Sequence, residues 1–139
     1  MALNSSTAID AARREQLEQL WQQLGLTPPL PLKSRALAQL NEALTHTSSG
    51  LHPHHEQLEF LGDAVLRLAA TEFIASTEPQ LPVGDRSALR AQLVSDQWLA
   101  QLGEQIGIAR WWRIGATASG DPAGHATLRA ELSEALIGA

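Results

Sequence analysis

Apolar residues recur along this chain at helical rather than strand spacing. Between residues 8 and 24, Leu17, Leu20, Trp21 and Leu24 fall at i, i+3, i+4 and i+7, with Thr7 placed to cap the helix and Asp10 three residues later. The stretch GLTPPLP, Gly25 to Pro31, predicts the end of that helix, because proline lacks a backbone donor and restricts the residue before it. A second helix is predicted from near Ser34, with Leu37, Leu40 and Leu44 on one side, and Ser48 to Pro53 reads as a turn. The segment from about His54 to Ser76 is apolar over most of its circumference, the pattern of a buried central helix. Pro79 to Gly84 interrupt it. Asp85 is placed to cap a fourth helix in which Leu89 pairs with Leu93, and Val94 with Trp98 and Leu102. Arg110 to Arg113 (RWWR) read as a short helical turn over the edge of the core, Gly115 to Gly124 as a loop, and about Thr127 to Ala139 as a final helix. No strand-like alternation lasts more than a few positions. The expectation is an all-α chain without internal repeats.

Composition narrows what such a chain does. Its 139 residues suit one domain with a single core. The absence of cysteine excludes a disulfide framework, a thiolate metal site and a cysteine nucleophile. Fifteen acidic residues against ten Lys and Arg give a formal charge of −5, and the only lysine is Lys33. That balance argues against holding nucleic acid by blanket phosphate neutralisation, which needs clustered cations. No run approaches about 18 apolar residues, so no membrane span is expected. Residues 1–7 (MALNSST) lack a basic or apolar leader pattern, which makes a soluble, cytoplasmic chain the expectation. The sequence stops inside a helical pattern, EALIGA, and reads as cut short at that end.

The chemistry is concentrated in HEQLEFLGDAVL, His55 to Leu66. At 100° per residue, Glu56, Glu59 and Asp63 fall within about 60° of one another on a helix wheel. Carboxylates at i, i+3 and i+4 spacing repel, and a hard divalent cation such as Mg²⁺ is the natural compensation because it takes oxygen ligands. The plain alternative is a solvated face on which Arg67 pairs with Asp63 at i+4. Gly62 costs about 1 kcal/mol relative to alanine in mid-helix, so another group is expected to approach closely there. Glu131 and Glu134, at i and i+3 in the last helix, form a second acidic pair. Set across the core from the first stripe, they would complete a cage for one or two divalent ions, the kind of site that makes a nucleophile from bound water.

Other motifs resolve more simply. HEQLE (His55 to Glu59) has Glu59 where a zinc protease of the HExxH type needs its second histidine. His52, His54 and His55 read as a polar turn leading into a helix, and His46 as a hydrogen-bonded structural residue. GATASG (Gly115 to Gly120) is followed by Asp121 and Pro122 where a phosphate-binding loop needs lysine and a hydroxyl, so no nucleotide cofactor is expected. Trp111 and Trp112 between two arginines could stack on single-stranded bases, but read more simply as cover for the core.

Four segments occur in an order and spacing that resemble the catalytic domain of the ribonuclease III family. They are ALTHTS (Ala43 to Ser48), HEQLEFLGDAVLRLA (His55 to Ala69), LRAQLVSDQWLA (Leu89 to Ala100) and ELSEALIGA (Glu131 to Ala139). The family signature reads approximately ERLEFLGDAVL, and this chain carries EQLEFLGDAVL with Gln57 the clear change. The resemblance covers nearly the whole chain after about residue 15, leaving residues 1–14 as an N-terminal extension and the start of the first helix. It implies an all-helical homodimer whose signature helices pack together through Phe60 and Leu61. It further implies Glu59, Asp63 and Glu134 as metal-binding acids and Glu56 as a substrate-facing residue on the rim of a catalytic valley. Glu131 stands where the family has a metal-site aspartate, and Val83 where it has a further acid. The implied reaction is hydrolysis of double-stranded RNA in RNA processing, with Mg²⁺ or Mn²⁺, leaving a 5′-phosphate and a 3′-hydroxyl. Most members add a C-terminal double-stranded-RNA-binding domain, which these segments do not include. The departures at Val83 and Glu131 are what a rival reading rests on, a dimeric scaffold that binds RNA or protein without cleaving.

Overall fold

The structure is a computed structural model and describes residues 9–27 and 30–139. Among the described residues the regular elements are helical: α1 (Ala11–Gln23), α2 (Ser34–Ala43), α3 (Glu56–Thr77), α4 (Val83–Leu93), α5 (Asp96–Gln105), α6 (Ala116–Ser119) and α7 (His125–Gly138), with short 3-10 turns between some of them. An isolated parallel bridge joins Thr45 to Arg113. The all-α expectation therefore stands.

Local chemistry accounts for the ends of the helices and corrects several expectations. Thr7 lies outside the described residues, and Asp10 is the cap of α1, its carboxylate accepting from the Arg13 backbone N–H at 2.7 Å. That helix ends before the prolines. Gly25 turns left-handed at φ +64°, and the N–H groups of Gly25 and Leu26 donate to the carbonyls of Gln22 and Trp21. These two bonds satisfy carbonyls that the helix itself leaves open, so glycine rather than proline supplies the stop. The predicted fourth helix is two helices. Ser95 accepts from the Trp98 N–H and starts α5, so the apolar spacing of Val94, Trp98 and Leu102 crosses a break. Asp85 lies in the first turn of α4, which begins after Pro82, and does not cap it. The glycine-rich stretch after Gly115 is partly helical, holding α6 and a 3-10 turn at Pro122–Gly124.

The main core gathers Leu17 and Leu20 of α1, Leu37 and Leu40 of α2, Leu32, Leu44, Ile108, Trp111 and Leu132 of α7. Trp111, expected to cover the edge of the core, is itself part of it. Arg13 ties three of these parts together, donating to Asn41 Oδ1 at 2.8 Å and to the Trp111 carbonyl at 2.7 Å. Burial, with Arg113 nearby, lowers its pKa to about 10, which still leaves it charged at neutral pH.

The buried central helix is α7, not α3. It packs along both α3 and α5 and buries Leu128, Ala130, Leu132, Ser133 and Ala135. Of α3, Leu58, Gly62, Ala70 and Ile74 are buried, while Phe60 is 82 % exposed and Leu61, Val65, Leu68 and Phe73 also lie open. An apolar circumference misled the burial expectation because one side of α3 has no partner among the described residues. Burying a phenylalanine contributes about 1.5–3 kcal/mol, which Phe60 forgoes here.

The α3–α7 seam is fixed by two glycines. A methyl group at Gly62 would overlap the backbone carbonyl of Glu134, and one at Gly138 would overlap that of Leu58. Backbone meets backbone at both places. This close approach is what mid-helix Gly62 implied, and it sets Glu59 and Asp63 on one side of the seam against Glu131 and Glu134 on the other.

Candidate active site

Three elements converge on the upper part of this seam. From α3 come Glu56, Glu59 and Asp63, from α7 Glu131 and Glu134, and from the connection after α2 His46, with His55 immediately preceding α3. The acids form two groups that share Glu59.

In the first group, Glu134 faces Asp63 across the seam. Burial pushes the Glu134 carboxyl up to about 7, reinforced by the negative fields of Asp63, Glu59 and Asp96. Asp63 also meets Arg67, whose Nε lies 3.0 and 3.2 Å from its two oxygens. The exposed i+4 pair and the acidic site are therefore both present, and Asp63 belongs to each.

In the second group, Glu131 Oε2 lies 3.1 Å from His46 Nε2 and 3.6 Å from His55 Nε2. The His55 contact, with that of His46, holds the Glu131 carboxyl below the usual carboxylate range against the opposing effect of burial. His55 Nε2 also stands 3.1 Å from Glu59 Oε2. The Glu59 carboxyl is shifted upward, chiefly by burial and by the charge of Glu131, with His55 working against both. Ligand atoms of His46, His55 and Glu131 lie within 4.8 Å of one another, close enough to surround a metal ion.

Glu56 opens α3 with its side chain largely in solvent, 4.0 Å from His54 Nδ1, and adds its field to Glu59. Phe60 and Leu61 project from the open side of the same helix. Val83, 75 % exposed, lines a cleft between α3 and α4 with Thr71, Ile74, Arg86 and Arg90. Sequence reasoning passed over Asp96, placed His55 in a polar turn and gave His46 only a structural role. The i+4 spacing of His55 and Glu59 could have signalled the part His55 plays. Asp96 has no signal beyond its place in the first turn of α5, next to the Ser95 cap.

An all-helical domain with a two-sided acidic seam defines the class of protein, and comparison with known proteins gives the family. A profile described as ribonuclease-III-like matches residues 38–139. The chain is 63 % identical over 100 residues to ribonuclease 3 of Prochlorococcus marinus, covering 72 % of this chain and 40 % of that protein. It is 41 % identical over 133 residues to a protein named ribonuclease 3 2 of Nostoc sp., covering 96 % of this chain and 54 % of that one. In structure it is similar to the nuclease domain of ribonuclease III from Campylobacter jejuni, with a TM-score of 0.77 at 29 % identity, covering 88 % of this chain and 82 % of that one. The chain belongs to the ribonuclease-III-like family and has the fold of its nuclease domains. It spans about half the length of the curated relatives it matches.

Proposed function

We propose that this chain is the catalytic domain of an endoribonuclease that hydrolyses phosphodiester bonds in double-stranded RNA, with a divalent cation, as a homodimer. The observation that carries the reading is the crowding of Asp63, Glu59 and Glu134 across a seam held by backbone contact. Acids brought together this way, with one carboxyl near 7, repel one another, and a divalent cation would compensate that repulsion. The donors are carboxylate oxygens, which suit Mg²⁺ or Mn²⁺.

Glu59, Asp63, Glu131 and Glu134 would hold the ion. When bound, it would supply an activated water and neutralise charge on the phosphoryl group, leaving a 5′-phosphate and a 3′-hydroxyl. The chain's own contribution is to keep Glu131 ionised through its imidazole neighbours and to release the Glu134 proton when a cation arrives. Glu56, in solvent beside Glu59, would face the substrate.

With the five site acids set aside, ten acids balance ten bases, so RNA would be selected by duplex shape rather than by a strongly basic surface. Among the described residues no helix is long and apolar enough to cross a membrane, and the reading places the protein in the cytoplasm with precursor RNAs. The open side of α3, with Phe60, Leu61, Leu68 and Phe73, supports self-association through that helix. The solved Campylobacter jejuni nuclease domain has a region involved in dimer formation.

Two measurements test this. A long RNA duplex incubated with Mg²⁺ is expected to be cut by the protein and at least 100-fold more slowly by Glu134→Gln; equal rates sink the metal assignment. Sedimentation is expected to show a dimer that Phe60→Asp converts to a folded monomer, and an unchanged dimer would remove α3 from the interface.

A further inference from the structure

We propose that His46 and His55 are positioning residues, whose imidazole N–H groups hold the Glu131 and Glu59 carboxylates so that their remaining oxygens face the divalent cation. This rests on the reading of those two acids as cation ligands.

The argument turns on where the imidazole protons sit. His46 Nδ1 receives two donors from Ser48, the backbone N–H at 3.1 Å and the hydroxyl at 2.8 Å. A backbone N–H can only donate, so Nδ1 must offer its lone pair. The Ser48 hydroxyl oxygen meanwhile accepts from the Gly115 N–H at 2.9 Å, which turns its own hydrogen toward the ring. The proton of His46 therefore lies on Nε2, directed at Glu131 Oε2 3.1 Å away.

His55 obeys the same logic from the other side. Its Nε2 faces two carboxylate oxygens, Glu59 at 3.1 Å and Glu131 at 3.6 Å, where a lone pair would be repelled by both. Its Nδ1 is buried without a hydrogen-bond partner among the described residues. A metal-ligating imidazole usually places its second nitrogen's proton on an acceptor, and none stands there. Both rings thus present N–H groups, not lone pairs, to the acids.

The frame behind them is rigid. The rings stack with centroids 4.6 Å apart. The backbone N–H of His46 donates to the Arg113 carbonyl at 2.9 Å, and the backbone N–H of His55 to the Thr45 carbonyl at 2.9 Å. Gly115 lies so close to the Ser48 carbonyl that a methyl group there would overlap it. This bracket falls on Glu131, whose extra methylene relative to aspartate would otherwise leave its carboxylate loose. Partners of this kind typically change metal affinity 10- to 100-fold.

The test is calorimetric titration of the whole chain with Mn²⁺, after thermal melts without metal confirm folding. His46→Ala is expected to weaken binding at least 10-fold. His46→Gln, which restores an N–H donor but a poor nitrogen ligand, is expected to stay within about threefold of the parent. Equal affinity of the parent and His46→Ala would overturn the inference. So would a loss in His46→Gln as large as that in His46→Ala, because it would make the imidazole nitrogen itself the ligand. If His46→Ala does not fold, His46→Gln decides alone, at the same threefold and 10-fold limits. No Mn²⁺ binding by the parent would reject the cation reading itself, and this inference with it.

Discussion

Glu131 and Glu134 stand one turn apart on α7, and both are half-buried, yet their carboxyls shift in opposite directions. Burial pushes both upward. For Glu131 that push is outweighed by two imidazoles, whereas Glu134 meets Asp63, Glu59 and Asp96 and is pushed to about 7. The chemistry of the facing element decides the outcome, not depth in the protein. The seam is therefore two half-sites, one already supplied with positive or donating neighbours and one waiting for them.

The strongest way to break this contrast is to move the seam. Gly62→Ala places a methyl against the Glu134 carbonyl and forces α3 and α7 apart. We expect a loss of about 3 kcal/mol in urea unfolding, the upper end of ordinary overpacking, together with loss of Mn²⁺ binding. An unchanged midpoint would mean that the close backbone approach is not what holds the acids.

The next effect is on pH dependence without metal. Glu134 ionises near 7 in the folded state against about 4.5 unfolded, so its contribution favours the fold below pH 4.5 and is lost as pH rises through 7. For a partly exposed group, screened by solvent, this amounts to about 1 kcal/mol. Urea unfolding at pH 5 and pH 8 should show that loss in the parent and not in Glu134→Gln. Glu131 has the opposite sign. Its lowered carboxyl stabilises the fold above about pH 4.5, and that stabilisation fades as pH falls through its folded value. The cost of Glu131→Gln should therefore be larger at pH 7 than in acid below the ordinary carboxylate range; a cost independent of pH would remove the imidazole explanation.

The smallest effect is at Arg67. Its pair with Asp63 is exposed on both sides, and Arg67→Ala should change stability by less than about 0.5 kcal/mol. A larger loss would make Arg67 part of the Glu134 half-site.

How far the sequence foretold these features depended on whether the deciding contact was local. Gly62 could be read because glycine inside a helix has a cost that something must offset, and the offset is the Glu134 backbone. The i+4 pair of Asp63 and Arg67 is local and was legible for that reason. The end of α3 burial was not, since an apolar circumference reports how much surface wants cover without saying which chain covers it. Ser95 broke a periodic run that spacing alone would have carried through. His55 looked like part of a polar turn because its partner Glu131 lies 76 positions away, and only the packing of α7 against α3 joins them. Helical spacing singled out the acids and the family resemblance gave them roles, but the hydrogen-bond directions around His46 came from the structure.

The reciprocal glycines have one more consequence. Because each meets a carbonyl rather than a side chain, Gly62 and Gly138 act as a ruler between two helices. A slip of α7 by one residue along α3 would carry Glu134 about 1.5 Å along the axis and swing it through about 100°. It would also drive a Cβ-bearing neighbour into the slot that only glycine fits. Substitutions elsewhere on the two helices can alter how firmly they adhere, but the alignment of their acids is written in the backbone.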